Sequence, residues 1–155
     1  DERCSVAFCP SSNLFLGSGL FDLPRLQFAD VKVGIGTDIG AGTSLSMLQT
    51  IADAYKTQRL AGNDLSPLSG LYMATLGGAK SLDCDADIGN FKIGKEADFT
   101  VLDPESTPLM SYRMQNCKSL EERLAVIVLL GDDRAISATY ANGHCVHDRD
   151  IDEES

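Results

Sequence analysis

The chain has 155 residues, 43% of them hydrophobic and 23% charged, which supports one domain with a buried core and argues against disorder. Its formal charge of -10, from 23 acidic against 13 basic residues, repels phosphate backbones and anionic lipid, so composition offers no footprint for nucleic acid or a membrane surface. No apolar run is long enough to span a bilayer, and the polar Asp1-Glu2-Arg3 start lacks the apolar core of a secretory signal; a soluble protein is expected.

Ser5 to Cys9 is a short β-prone run stopped by Pro10, and the polar, glycine-rich stretch from Ser11 to Gly19 predicts a loop. Asp22 suits an N-cap with Pro24 in the first turn, so Leu23 to Ala29 is expected to be a short helix leading into a strand, Val31 to Gly36. After Asp38, the small residues Ile39-Gly40-Ala41-Gly42-Thr43 predict a turn. Met47, Leu48, Ile51, Ala52 and Tyr55 then recur at helical spacing. Ser66-Pro67 opens a further helix whose stripe is Leu68, Leu71, Tyr72, Thr75, Leu76 and Ala79, with Gly77 and Gly78 weakening its end or allowing close packing.

The character of the sequence changes near Leu82. Gly89, Gly94 and the apolar run Phe99 to Leu102 predict short strands, and Ser119 with Glu122 forms a capping box for a helix over Leu120 to Leu130, stopped by Gly131. Ile136 to Ala141 and His144 to His147 flank Asn142-Gly143, a two-residue hairpin signal. The acidic tail from Asp148 to Ser155 is expected to fray. Consecutive βα units imply parallel strands covered by helices, an α/β fold. Two such strands neither complete a sheet nor close a barrel, so the chain is expected to be the C-terminal portion of a longer protein or one piece of a cut chain.

Asp38 stands at the C-terminal end of a parallel strand, where α/β folds place reactive groups. The surrounding glycines let other groups approach its carboxylate, which could help hold a metal or accept a proton from bound water; an N-cap for the following helix is the alternative. A phosphate-binding loop is a poor match, since the Gly-Lys-Ser/Thr ending is missing and an acidic residue sits mid-loop. His144 and His147, at i and i+3 on a strand, fall on opposite faces and read as surface or edge-strand residues. Ser11, Ser12 and Ser44 have no histidine near them in sequence and read as loop caps. Cys4, Cys9, Cys84, Cys117 and Cys145 are an odd, scattered set without CxxC spacing, which suits reduced thiols in a cytoplasmic protein and disfavours a zinc-thiolate site.

The segments Cys9-Pro-Ser-Ser-Asn13-Leu-Phe-Leu-Gly-Ser-Gly-Leu-Phe21, Gly34-Ile-Gly-Thr-Asp38-Ile-Gly-Ala-Gly-Thr-Ser44 and Ser46-Met-Leu48 resemble the guanine deaminase family of the amidohydrolase superfamily. Ala74-Thr-Leu-Gly-Gly-Ala79, the stretch Gly89 to Asp103, Ser119 to Leu124 and Leu130 to Arg134 extend the resemblance over about Val6 to Val146. The Gly-Thr-Asp and Gly-Lys-x-Ala-Asp segments are superfamily-wide; the Ser-Asn-Leu-Phe-Leu-Gly-Ser-Gly segment is narrower and points to guanine.

The resemblance implies the last two βα units of a distorted (β/α)₈ barrel, residues 1–81, then the helix and strands of a small composite β-sandwich domain, 82–148, and an acidic tail, 149–155. It implies one zinc per active site, whose other ligands are histidines on an upstream barrel segment of the same protein that also carries a catalytic glutamate. Asp38 matches the last-strand aspartate that contacts the metal or its water and shuttles a proton, and Asn13 is the candidate substrate-positioning residue in a loop walling the purine pocket. The implied reaction is hydrolysis of guanine, a small-molecule purine, to xanthine and ammonia, in an enzyme whose relatives are often homodimers. Two alternatives stand beside it. One is a deaminase or chlorohydrolase of another aminopurine, pterin or triazine; the other is a truncated, inactive fragment or interaction module.

Overall fold

In the computed structural model, which describes residues 4–152, strand β1 (Ser5–Phe8) leads through helices α1 (Pro10–Leu16) and α2 (Leu23–Phe28) to strand β2 (Lys32–Ile35). β1 and β2 pair in parallel, Ser5 opposite Lys32 and Phe8 opposite Ile35, as the β-α-β reading requires. Asp22 caps α2, accepting the Arg25 N–H at 3.1 Å. The expected loop over Ser11 to Gly19 is instead mostly α1. Pro10 fills the first turn, where a backbone N–H has no helical partner to lose. Gly17 adopts a left-handed φ of 66°, and the N–H groups of Gly17 and Ser18 close the end on the carbonyls of Leu14 (3.2 Å) and Asn13 (2.9 Å).

Helix α3 (Met47–Leu60) is capped by Ser46, which accepts the Gln49 N–H at 3.3 Å. The next helical stretch is split at Thr75, whose φ/ψ of -124°/-104° is not helical, into α4 (Pro67–Ala74) and α5 (Leu76–Ser81). The predicted apolar stripe holds in part. Ala79 is buried and Leu71 packs against the core, whereas Leu68, Tyr72 and Thr75 are exposed and Gly70 and Met73 face inward. A Cβ on Gly70 would lie 2.4 Å from Ile51 Cγ2, so α4 approaches α3 most closely at its smallest residue. Gly78 permits close packing as expected: a Cβ on Gly34 of β2 would lie 3.2 Å from the Gly78 Cα.

The remaining elements are β3 (Phe99–Leu102), α6 (Pro108–Met114), α7 (Leu120–Leu130), β4 (Ile136–Ala141), β5 (His144–Asp148) and α8 (Arg149–Asp152). The three strands form an antiparallel sheet in the order β3-β4-β5. The capping box of α7 and its stop at Gly131 are both present, and Asn142 and Gly143 take positive φ values of 48° and 76° in the hairpin turn. Helix α6 is additional to the sequence reading; Thr107 caps it by accepting the Met110 N–H at 3.2 Å, and Pro108 fills its first turn.

Within the tail, Asp148 ends β5 and Arg149–Asp152 form a helical turn instead of fraying. Arg149 donates to Asp103 Oδ2 at 3.2 Å and to the Arg134 carbonyl at 2.7 Å, which docks α8 on the sheet. The polar start at residues 1–3 and the last residues of the tail, 153–155, lie outside the described residues.

Two apolar clusters hold the elements together. Phe8, Leu23, Ile35, Ile51, Ala54, Leu65, Met73 and Val128 pack around the parallel pair; Leu48, Met110, Met114, Val126 and Ala135 pack beneath the antiparallel sheet. Helices α3 and α7 contribute side chains to both.

Candidate active site

Because β1 and β2 run in the same direction, their C-terminal ends open side by side, and the segments that leave the two strands become neighbours. The Gly36 N–H bonds the Phe8 carbonyl at 3.0 Å, carrying the pairing one residue further. Beyond it the chain turns sharply. Asp38 has a left-handed φ of 48°, and its carbonyl accepts the N–H groups of Ala41 at 3.2 Å and Gly42 at 2.6 Å. Aspartate is among the few non-glycine residues that tolerate this conformation. The turn leaves the Asp38 side chain exposed above the strand ends.

The helix-cap alternative for Asp38 is removed by this geometry. Ser46 caps α3, and Ser44 supports that entry by accepting the Ser46 N–H at 3.0 Å, so Asp38 stands well before the helix with no capping duty. Cys9, at the end of the neighbouring strand, lies beside it; its Sγ is 3.4 Å from where a Cβ on Gly36 would sit. Burial, and then the negative charge of Asp38, push the Cys9 thiol up from its ordinary value.

Asn13 sits on α1, half-buried, one turn after Cys9, whose carbonyl accepts its N–H at 3.0 Å. Asn13 and Asp38 thus rise from adjacent strand ends. The two histidines do not join them: both are on β5 in the other sheet. Their expected placement on opposite faces is overturned by the register. His144 pairs with Ala141 and His147 with Thr139, while Cys145 pairs with Tyr140 and Val146 is left as a bulge. The extra residue offsets the odd spacing, so both histidines project to one face. Even so, no three His, Cys, Asp or Glu side chains among the described residues converge as a metal site. A zinc site needs about four donors, more than the described residues bring together. All five cysteines are free thiols, in keeping with the reduced-cysteine reading.

Four polar residues that the apolar periodicities do not flag fasten loops and segments elsewhere in the chain. Asp53 and Gln58 face inward from α3 and bond the Pro10 to Phe21 segment. Lys95 donates to the carbonyls of Asp85 and of Ile88, the latter at 2.9 Å, and Asp98 accepts the Asn142 N–H at 2.7 Å. The Gly94 to Asp98 motif is therefore a clasp that ties an irregular loop to the hairpin tip. Gln58 could have been found as a polar residue seven positions after Ile51 on the same buried stripe.

The sequence profile of the Amidohydrolase family matches residues 1–146. The chain is 54% identical over 149 residues to guanine deaminase of Escherichia coli strain K12, covering 96% of this chain and 34% of that protein. It is 40% identical over 154 residues to a probable guanine deaminase of Deinococcus radiodurans, covering 97% and 35%. Among solved structures, E. coli guanine deaminase superposes with a TM-score of 0.93 at 55% identity, covering 95% of this chain and 34% of that one. An adenosine deaminase from Xanthomonas campestris with bound zinc gives 0.77 at 28% identity, over 94% and 32%. Guanine deaminase from C. acetobutylicum with bound guanine in its active site also gives 0.77 at 28%, over 94% and 34%.

The α/β fold, the strand-end carboxylate and the profile together define the class: this chain belongs to the amidohydrolase family. Within that family its high-identity relatives are guanine deaminases, which are enzymes, and it spans about a third of their length. No described helix is long and apolar enough to cross a membrane.

Replacing His144 or His147 by Ala in the full-length protein is expected to leave activity within about twofold and the content of any bound metal unchanged, as for positions away from a site. Loss of a bound metal on either substitution would overturn their structural reading.

Proposed function

We propose that this chain is the C-terminal catalytic segment of a zinc-dependent enzyme that hydrolyses guanine to xanthine and ammonia in the cytoplasm. The observation that carries the reading is Asp38, an exposed carboxylate locked by its turn at the C-terminal ends of two parallel strands. The relatives' shared activity supports the choice of substrate. On this reading residues 1–81 supply the last two βα units of a distorted (β/α)₈ barrel, residues 82–148 the helix and strands of a composite β-sandwich domain, and 149–155 an acidic tail.

Asp38 would serve as this chain's contribution to a zinc site completed by the upstream barrel segment. Zinc there supplies a water acidified toward neutral pH. An oxygen of the Asp38 carboxylate takes the proton from the attacking water, which adds to the ring carbon bearing the exocyclic amine; the proton then travels with the amine as it departs as ammonia. Asn13, on α1 above the same strand ends, positions the purine edge. The 155-residue chain by itself, with one metal donor, would be inactive.

The test is product analysis of the full-length protein. One xanthine and one ammonia per guanine consumed, with about one zinc per chain, is the expected result. Ammonia released only from another aminopurine, a pterin or a triazine would move the substrate; neither zinc nor turnover would sink the reading.

A further inference from the structure

Asp53 is an acidic side chain on a largely buried helix, and nothing in the proposed chemistry uses it. Its side chain is only 19% exposed, on the side of α3 that meets α1. Taking a carboxylate that far from water carries a desolvation cost, which a packing role could avoid with an apolar residue of similar size. The carboxylate adds direction. Ser11, 6% exposed, donates its hydroxyl to Asp53 Oδ2 at 2.7 Å, a short bond to a charged acceptor, while Lys56 at 3.3 Å balances the charge from the solvent side.

Ser11 lies in the first turn of α1, two residues before Asn13, whose N–H is bonded to the Cys9 carbonyl. The turn moves as one piece, so the azimuth of Ser11 sets that of Asn13. The far end of the same segment is fastened independently. Gln58, fully buried, donates to the Phe21 carbonyl at 2.8 Å, and its own oxygen accepts from Asn63 at 3.1 Å, which fixes the amide's orientation. The Phe21 ring stacks on Phe8 of β1 at 4.4 Å between centroids. Of these two fastenings, the hydroxyl bond is the one next to Asn13.

We propose that Asp53 is a positioning residue: through Ser11 it aims the first turn of α1, and with it Asn13, at the substrate held above β1 and β2. This rests on the reading of Asn13 as a purine-positioning residue. A small misplacement of such a group weakens productive binding of substrate more than it alters the proton transfers at Asp38.

The experiment uses the full-length enzyme with guanine as substrate. Asp53→Ala is expected to raise KM about tenfold with kcat within about twofold, zinc content unchanged. Ser11→Ala should match it, and the double variant should be no worse than either single one, because both remove the same bond. Asp53→Asn, which keeps an acceptor for the hydroxyl, should restore KM to within about twofold of the parent. An unchanged KM in Asp53→Ala, additive single effects, or a defect that Asp53→Asn fails to relieve would overturn the proposal. The parent enzyme separates the two readings: absence of xanthine formation there refutes the guanine assignment, whereas normal parent turnover with indifferent variants refutes only the role of Asp53.

Discussion

Asp38→Asn in the full-length enzyme is expected to lower kcat for guanine by about 10²- to 10⁴-fold, the range for losing a general acid–base group, with no change in folding. Asparagine is the informative replacement because it preserves the conformation the turn needs. It tolerates the left-handed φ of 48°, and the main-chain carbonyl still accepts the N–H groups of Ala41 and Gly42. Only the anionic oxygen is lost. Alanine would confound the result, adding backbone strain to the missing carboxylate. The measurements are kcat and KM for guanine, zinc content, and the thermal midpoint beside the parent. Near-normal turnover would remove Asp38 from the proton path. An unchanged midpoint with depressed kcat would assign the loss to chemistry.

The second large effect comes from a residue with no side chain. A Cβ on Gly42 would lie 1.7 Å from the Thr37 carbonyl oxygen and 2.9 Å from its carbon. Both are backbone atoms of the residue just before Asp38, so no rotamer change relieves the overlap. Gly42→Ala must open the turn, break the 2.6 Å bond from the Gly42 N–H to the Asp38 carbonyl, and displace the carboxylate. Turnover should fall about a hundredfold, the scale for a misplacement near 1 Å, with a stability cost of about 1–3 kcal/mol. Gly36→Ala is the matched control, since its methyl meets only Cys9 Sγ, at 3.4 Å, and the Ala7 Cβ, at 3.9 Å. If Gly42→Ala retains the activity of that control, the turn does not hold Asp38 in place.

The strand-end placement of Asp38 could be read directly, because a β-prone run, an aspartate and small residues in that order encode a strand and a sharp exit. Capping chemistry was equally readable for α2, α4 and α7: Asp22, Ser66 and Ser119 each accept a backbone N–H three residues on, as Ser46 does for α3. Composition misleads at α1, where three polar residues and nearby glycines suggest a loop although Pro10 and Gly17 sit at the two helix ends. The inward turn of Gly70 depends on how closely α4 approaches α3, which helical periodicity does not encode, and nothing in the periodicity marks the split at Thr75. The bulge at Val146 is set by pairing across the sheet, so strand parity alone puts His147 on the wrong face. Asp53 was beyond reach for the same reason: its partner is 42 residues away in sequence.

That α3 and α7 each serve both apolar clusters has a consequence for inheritance and engineering. Val128 of α7 packs with Phe8 and Ile51, although it is encoded far downstream of the parallel strands. A chimera joined near Leu82, taking the parallel half from one relative and the remainder from another, would mismatch the walls of both clusters at once. Compatible exchange has to move α3 and α7 as a pair. Sequence drift on one of these helices is therefore constrained by the other, and the strand-end site shares the thermodynamic fate of the distant antiparallel sheet.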